Sequence, residues 1–501
     1  MGAWRDLARD LDWEPTYVSE RELFPEDVAG RPWMDRTAWS EWREPFATTF
    51  PEYVRTQSDK EKAVQAVRQA VGVGRDLRGA DRAWLSVSKL HAAAFTLAEF
   101  AAVVGNLRSA RFGRSSAWRA TAAFGALDEV RHTQIPLLLH ADVVRYDAQF
   151  DFTHRLYHTN NWISIAGRHL VDELILASDA IELAVATNFV FEQGFTNLEF
   201  IGLSAVADRV GDHLQRTVLD SIQTDEARHA QIGRATLERV VAADRAYAQR
   251  LVDKWFWRTW RLFSTVTGIA MDYLTPLSRR GPSFKEFVFE WVAEQFLAAI
   301  ADVGLDRPWY WDAFVQSVSH DHHMMYASAY TYRSTVWFDM VVPGPDERAW
   351  LRSRYPESWE LYDPIWTRIA EKWRATDPGV ELAVHGAAIP TFCNLCQLVL
   401  AHGTPAHNGA CSVDYAPPGG RKEKFVFCSP VCRWIFEQEP DRYVASPDVV
   451  KRVLAGKAPG NLVEFLTRYS GLRYEVWGKD ARAGDYEWLE RPGRPVKKEA
   501  R

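Results

Sequence analysis

The sequence predicts a mainly α-helical bundle that carries a small α+β appendage at its C-terminal end, and three observations carry that prediction. Long segments between about 58 and 302 repeat apolar residues at three- and four-residue intervals, the spacing of one face of a helix. Within them an octapeptide occurs twice, as DEVRHTQI at 128–135 and DEARHAQI at 225–232, with six of eight letters shared. Beyond about 380 the texture changes to Pro- and Gly-rich stretches with short strand-like runs and two close pairs of cysteines.

Taken in order, residues 1–56 are rich in Trp, Pro and Tyr with little periodicity, and read as an arm that wraps the body. WLSVSKLHAAAFTLAEFAAVVGNLRSARF (84–112) is a first long helix, and AAFGALDEVRHTQIPLLLHADVVRY (122–146) a second, with a kink expected at Pro136. Residues 162–197 hold two helices, or one broken near Ser178. Residues 200–241 supply two more, and further helices follow over about 244–273 and 284–302. A domain boundary is placed at 380, giving an arm (1–56), a helical catalytic domain (57–380) and an α+β appendage (381–501) whose extreme tail, RPGRPVKKEAR, is too polar and Pro/Gly-rich to fold.

Bulk properties narrow the function. The 501 residues exceed what one small core can use, and a net charge of -6 implies neither nucleic acid nor an anionic membrane as partner. No run reaches the length of a membrane span, and the acidic start MGAWRDLARDLDWEP lacks the apolar stretch of a signal peptide. Asp6 stands where a myristoylation motif wants Ser or Thr. A cytoplasmic location is expected, and there paired cysteines point to a metal site, not to a disulfide framework. The 22 Trp residues supply large rigid side chains for cores and subunit contacts.

The repeated octapeptide carries the chemistry. On a helix, residues i and i+3 share a face, so Glu129 with His132 and Glu226 with His229 each present a carboxylate and an imidazole to one point. A dinuclear bundle needs this set plus one more Glu from each of two further helices. Glu99 in FTLAEFAAVV and Glu192 in NFVFEQGF are lone carboxylates in apolar segments, 30 and 34 residues ahead of their E-x-x-H partners. An unpaired buried Glu either stays protonated or finds a cation. Four carboxylates balance two Fe²⁺, and oxygen and nitrogen donors suit iron or manganese. Asp128 and Asp225 are placed to accept the free imidazole N–H of the histidine on the partner helix, with Arg131 and Arg228 neutralising them. A single E-x-x-H is commonly a surface feature, but two copies with identical companions and two matched lone glutamates predict a ferritin-like di-iron helical bundle.

Cys393 and Cys396 form C-x-x-C, and Cys428 and Cys432 form C-x-x-x-C. Four thiolates satisfy a closed tetrahedral zinc site that would staple the appendage, against the alternative of free buried thiols. Cys411 reads as a spare thiol in a polar loop.

FEQGFTN (191–197) and SIQTDEARHAQ (221–231) resemble the hydroxylase α subunit of the soluble bacterial multicomponent monooxygenases, the di-iron group that includes toluene, phenol, alkene, isoprene and methane hydroxylases. WEPTYVSERELFPE, FPEYVRTQSDKE, MDYLTPL, SFKEFVFEWV and DRPWYWD extend the resemblance over nearly the whole chain. It implies that Glu99, Glu129 and His132 hold one iron, and Glu192, Glu226 and His229 the other. It makes Thr196 the active-site threonine, which could equally be a buried Thr bonding its own helix carbonyl. Asn197 and Gln223 match polar residues that respond to effector docking. The pocket would be lined by Phe95, Ala98 and Ala102, by Phe191 and Phe195, and, as in toluene hydroxylases, by Val171 and Pro136.

The resemblance further implies O₂ as co-substrate and electrons from NADH through a separate flavin reductase and a Rieske-type ferredoxin. The chain itself shows neither a dinucleotide-binding fingerprint nor a Rieske spacing. Implied partners are β and γ subunits in an (αβγ)₂ assembly and a small effector protein. GRSSAWRATAAFGALDEVRHTQ (113–134) resembles the alkene and isoprene members, so epoxidation of a small alkene such as isoprene is expected, with aromatic hydroxylation as the competitor. A non-oxygenase ferritin-like iron protein and a scaffold with vestigial ligands are the other readings. The first is disfavoured by chain length and the second by six filled ligand positions.

Overall fold

A computed structural model describes residues 39–44, 46–71, 81–143, 162–331, 342–375, 392–400 and 411–444. Most of the N-terminal arm, the boundary placed at 380 and the C-terminal tail lie outside the described residues. The architecture is helical, with one two-stranded sheet near the C-terminal end among the described residues.

Helix α1 (Phe50–Val71) crosses the 56/57 boundary, so the end of the arm and the start of the body are one element. Two long helices follow, α2 (Arg82–Phe112) and α3 (Ser116–Val143). The Asp81 side chain opens α2 by accepting from the N–H groups of Ala83 at 2.8 Å and Trp84 at 3.1 Å, two of the donors every helix start leaves orphaned. Helix α3 continues through Pro136 to Val143.

The expected break near Ser178 is present. Helix α4 (Trp162–Ile175) ends there and α5 (Ala180–Ala184) begins, capped by Asp179, which accepts from the Glu182 N–H at 2.8 Å. The sequence reading did not foresee that the next twelve residues, Val185–Thr196, wind as a π-helix before α6 (Asn197–Val210) resumes α geometry. Gly211, at φ +76°, closes α6 in the left-handed region that glycine enters at no steric cost. The very long α7 (His213–Ile269) is two helices joined at Asp244, whose φ of −153° leaves helical space and whose side chain caps the second half through the Tyr247 N–H at 2.9 Å.

Pairing α2 with α3, and the π segment and α6 with α7, makes the bundle. The second pair is very close: a Cβ built on Gly233 would lie 2.2 Å from the Phe189 backbone nitrogen. Further on come α8 (Phe284–Phe287), a short π turn, α9 (Glu294–Asp302), α10 (Trp311–Val318), α11 (Asp321–Thr331), α12 (Pro345–Arg354) and α13 (Trp359–Ala375); α11 packs against α7, and α13 against α11 and α12. Trp118, Trp255, Trp260, Trp359 and Trp366 are fully buried, each removing a large rigid surface from water. Trp39 and Trp42 anchor the end of the arm, their rings 5.6 and 6.0 Å from that of Trp118, and the Trp42 indole donates to Thr236 Oγ1 at 3.2 Å.

In the appendage, antiparallel β1 (Ser412–Tyr415) and β2 (Glu423–Val426) pair in register Ser412 with Val426, and α14 (Pro430–Gln438) and α15 (Pro440–Val444) follow. A buried charge network sews it to the bundle. Lys254 Nζ reaches Glu182 at 2.9 Å and Glu439 at 2.7 Å, Arg258 meets Glu173 at 2.7 Å, and the Tyr443 hydroxyl donates to Glu173. No described helix is long and apolar enough to cross a membrane.

Candidate metal centre and substrate cavity

Helices α2, α3 and α7 and the π segment each turn carboxylates or imidazoles into the middle of the bundle. Ligand atoms of Glu99, Glu129, His132 and Glu226 fall within 4.8 Å of one another, and so do those of Glu129, Glu192 and His229. Glu129 belongs to both groups, which gives it the position of a bridge. The resemblance set Glu226 beside His229, but its Oε1 is 3.1 Å from His132 Nδ1 and 4.0 Å from His229 Nδ1, so it leans towards the first group.

The histidines are held by their far nitrogens. His132 Nε2 meets Asp225 at 3.3 Å and His229 Nε2 meets Asp128 at 3.0 Å, each across to the other E-x-x-H helix. Both Nδ1 atoms therefore face the four glutamates. Arg131 pairs with Asp225 at 3.1 Å, and Arg228 with Asp128. Three residues of α1 that the sequence reading passed over complete this layer. Tyr53 donates to Asp128 at 2.8 Å, Gln57 bridges Asp128 at 2.9 Å and Asp225 at 2.8 Å, and Lys60 binds Asp225 at 2.6 Å. Their spacing, 53, 57 and 60, is one helix face, a signal hidden because the partners are remote in sequence. Asn188 was also missed; it donates to Glu192 Oε2 at 2.8 Å from one turn earlier.

The protein atoms alone leave this centre unbalanced. Burial, reinforced by the charge of Glu129, holds the Glu99 carboxyl well above the usual carboxylate range, and the same causes push Glu226 up to about 7. Burial acts in the same sense on Glu129, but hydrogen bonds from His132 and His229 outweigh it and lower the group. Burial disfavours charge on His229 too, yet Glu192 and Glu129 raise it to about 10. Glu226 Oε1 and His229 Nδ1, both buried, complete no hydrogen bond among the described residues. Orphaned donor atoms facing crowded carboxylates are what a pair of divalent cations would satisfy. The donor set fits two irons.

A narrow cavity reaches this centre. Its wall includes Phe95, Ala98, Ala102, Val171 and Phe191, together with Ala101, Gly105, Leu174, Ile175 and Thr187 that the sequence reading had not named. Thr196 lies on the wall, and its hydroxyl donates to the Phe191 carbonyl at 3.1 Å. Two expected wall residues are elsewhere. Phe195, adjacent to Thr196, is rotated around the helix and packs against Phe256 at 5.1 Å and Phe263 at 5.0 Å. Pro136 sits half-buried on α3, two helical turns past Glu129, and does not line the cavity. Gln223 is half-buried on α7, one turn before Glu226; the Asn197 side chain lies outside the described residues.

In the appendage, Cys393, Cys396, Cys428 and Cys432 are buried with their sulfurs within 4.8 Å of one another. The Trp257 indole donates to Cys432 Sγ at 3.2 Å. Cys411 stays outside this group and is buried in the turn that leads into β1.

Fold and donor set together define a metal-binding helical bundle of the carboxylate–histidine class. Residues 13–244 match the model of the methane/phenol/alkene hydroxylase family. The α subunit of the oxygenase component of the alkene monooxygenase system of Xanthobacter autotrophicus Py2 is 37% identical over 96% of this chain and 97% of its own. The oxygenase component DmpN of phenol 2-monooxygenase from Pseudomonas sp. CF600 is 29% identical over 93% of this chain and 89% of its own. The crystal structure of xenon-pressurized phenol hydroxylase from Pseudomonas sp. OX1 superposes with a TM-score of 0.83 at 26% identity, covering 97% of this chain and 98% of that one. The chain belongs to the methane, phenol and alkene hydroxylase family, whose members are di-iron monooxygenases.

Proposed function

We propose that this chain is the O₂-activating subunit of a multicomponent monooxygenase that inserts one oxygen atom into a small apolar hydrocarbon, with epoxidation of an alkene such as isoprene as the leading reaction. The observation that carries this is an apolar cavity ending at four buried glutamates and two histidines. Glu99, Glu129, His132, Glu192, Glu226 and His229 would hold two irons, which when bound supply the redox chemistry that splits O₂. The protein does the rest. Asp128 and Asp225 fix the imidazole orientation, α1 shields those aspartates, and Phe95, Ala98, Ala102, Val171 and Phe191 exclude water and seat a neutral substrate. Thr196, beside the glutamates, supplies a hydroxyl on the cavity wall for proton movement, with Asn197 and Gln223 as effector-responsive polar residues.

The alkene assignment is supported by the 37% identity to the alkene enzyme. The phenol hydroxylase likeness favours the second reading, aromatic hydroxylation. Electrons would come from NADH through a separate reductase and Rieske-type ferredoxin, and β, γ and effector subunits would complete the assembly in the cytoplasm. Phe100, Val104 and Leu107, exposed at 53%, 46% and 56% along one face of α2, support burial against another subunit. The four cysteines would bind structural zinc and brace the appendage, counted from 381, against the catalytic body. The test is a gas-chromatographic product screen of the reconstituted system fed isoprene, propene, styrene and toluene. Epoxide from the alkenes, at a higher rate than cresol from toluene, is the expected result. Product from the chain with NADH alone would contradict the partner requirement, and no oxygenated product from any substrate would end the reading.

A further inference from the structure

Glu199 is a buried carboxyl outside the centre just described. It lies on α6 three residues after Thr196, so the two side chains are neighbours on one helix face. Thr196 lines the cavity; Glu199 is not among the lining residues, and its neighbouring polar group is the Thr267 hydroxyl of α7. Glu199 is 4% exposed, and neither its Oε1 nor Thr267 Oγ1 completes a hydrogen bond among the described residues. Thr96 Oγ1, one turn before Glu99 on α2, is buried and unsatisfied as well.

An idle buried polar atom costs about 1–3 kcal/mol, so it calls for water or for a use. Glu173 and Glu182 show what a structural buried glutamate looks like here. They are locked to Arg258 and Lys254, and although burial opposes it, these cations hold both carboxyls down at about 2. Among the described residues Glu199 has no such cation. Burial raises it to about 8 against only the hydroxyl of Thr267, so it carries its proton at neutral pH.

We propose that Glu199, with Thr267 beside it, is a relay residue that passes protons to the cavity through an intervening water and the Thr196 hydroxyl. The inference rests on the monooxygenase reading above. Inserting one atom of O₂ into a substrate and releasing the other as water consumes two electrons and two protons; the electrons come from the redox partner, and the protons must cross an apolar wall. Glu199 releases its proton to the water, and the water passes one on to the Thr196 oxygen. Thr196 turns its own proton from the Phe191 carbonyl into the cavity, and Glu199 is reprotonated from solvent between turnovers. The Thr196 hydroxyl donates to the Phe191 carbonyl and not to Glu199, and neighbours at this helical spacing are close enough for one water to join them.

The test replaces Glu199 by Gln, which keeps shape and hydrogen bonding but has no transferable proton, and by Asp, which keeps the acid. Infrared spectra of the purified chain, without turnover, should show a deuterium-sensitive carbonyl band of a neutral carboxylic acid that is absent from Glu199→Gln. In the reconstituted system Glu199→Gln should retain wild-type iron and KM while kcat falls roughly 10- to 100-fold with a larger solvent deuterium isotope effect. Glu199→Asp should recover part of the rate and the wild-type isotope effect. An unchanged infrared difference, or a Gln variant with wild-type rate and isotope effect, overturns the relay while leaving the monooxygenase reading intact. Should Glu199→Gln fail to fold, Glu199→Asp decides: a rate loss with an unchanged isotope effect and no acid band overturns it. A wild-type system that oxidises no hydrocarbon removes the underlying reading and the relay with it.

Discussion

Gly233→Ala tests how tightly the metal centre depends on one helix contact. A Cβ at this position would stand 2.2 Å from the Phe189 nitrogen, 2.5 Å from the Asn188 carbonyl carbon and 2.7 Å from Phe189 Cα. All three are backbone atoms, so no side chain can swing away. Ordinary contact begins near 3.4 Å, and α7 and the π segment must therefore separate by about 1 Å. Overpacking of this kind costs about 1–3 kcal/mol, occasionally more. Replacing Gly by Ala within a helix returns roughly 0.5–1 kcal/mol, so a net loss of about 1–2 kcal/mol is expected. The contact also positions chemistry, because Asn188 holds Glu192 at 2.8 Å. Bound iron per chain should fall together with the denaturant midpoint. Gly105→Ala is the control: its Cβ would meet only Leu183 Cδ1 at 3.6 Å and Ile175 Cγ2 at 4.0 Å. That variant should be as stable as wild type or more so. Gly233→Ala with an unchanged midpoint and full iron would refute the close-packing argument.

Glu226→Ala should lower bound iron steeply by metal analysis, since it removes one carboxylate from the group around His132; full occupancy would take it off the ligand set. Cys428→Ser should lower zinc content and the thermal midpoint while leaving iron and product formation in place, and unchanged zinc would overturn the four-cysteine assignment. Asp253 supplies a pH prediction: burial, aided by Asp306, raises its carboxyl to about 6 from the usual 3.8. A folded value above the unfolded one means the native state binds the extra proton, so this contribution is present below pH 4 and is lost as pH rises through 6. Asp253→Asn should therefore stabilise the chain by up to about 3 kcal/mol at pH 7.5 and by little at pH 4 in urea melts, and equal gains at both would refute it. Arg258→Met should destabilise by about 3–5 kcal/mol, because it strands buried Glu173 without its cation; a neutral result would mean that Lys254 suffices.

The helices α2, α3, α4 and α7 were readable because long apolar segments without internal Gly/Pro clusters are written locally in the sequence. The π segment was not, since nothing in the residues of Val185–Thr196 marks that winding apart from α, and its close approach to α7 at Gly233 is a contact between segments remote in sequence. The four glutamates and two histidines could be picked out because a carboxylate in an apolar helix is anomalous wherever it lies. The cavity wall was only partly legible: helical spacing tells which residues share a face with Glu99, but Phe195 and Pro136 show that it does not tell which face the neighbouring helices cover.

The order of the chain alone therefore determined the kinds of donor present, their pairing as two matched E-x-x-H units with two lone glutamates, and the cysteine quartet, since each is a local departure from an otherwise apolar or loop-like background. Only the tertiary structure decided that Glu129 belongs to both clusters of buried carboxylate and imidazole groups, that Glu226 leans to His132, and that Tyr53, Gln57 and Lys60 shelter Asp128 and Asp225. Those relations depend on distances between helices that are far apart in sequence. Such distances are set by packing, and no spacing along one helix records them.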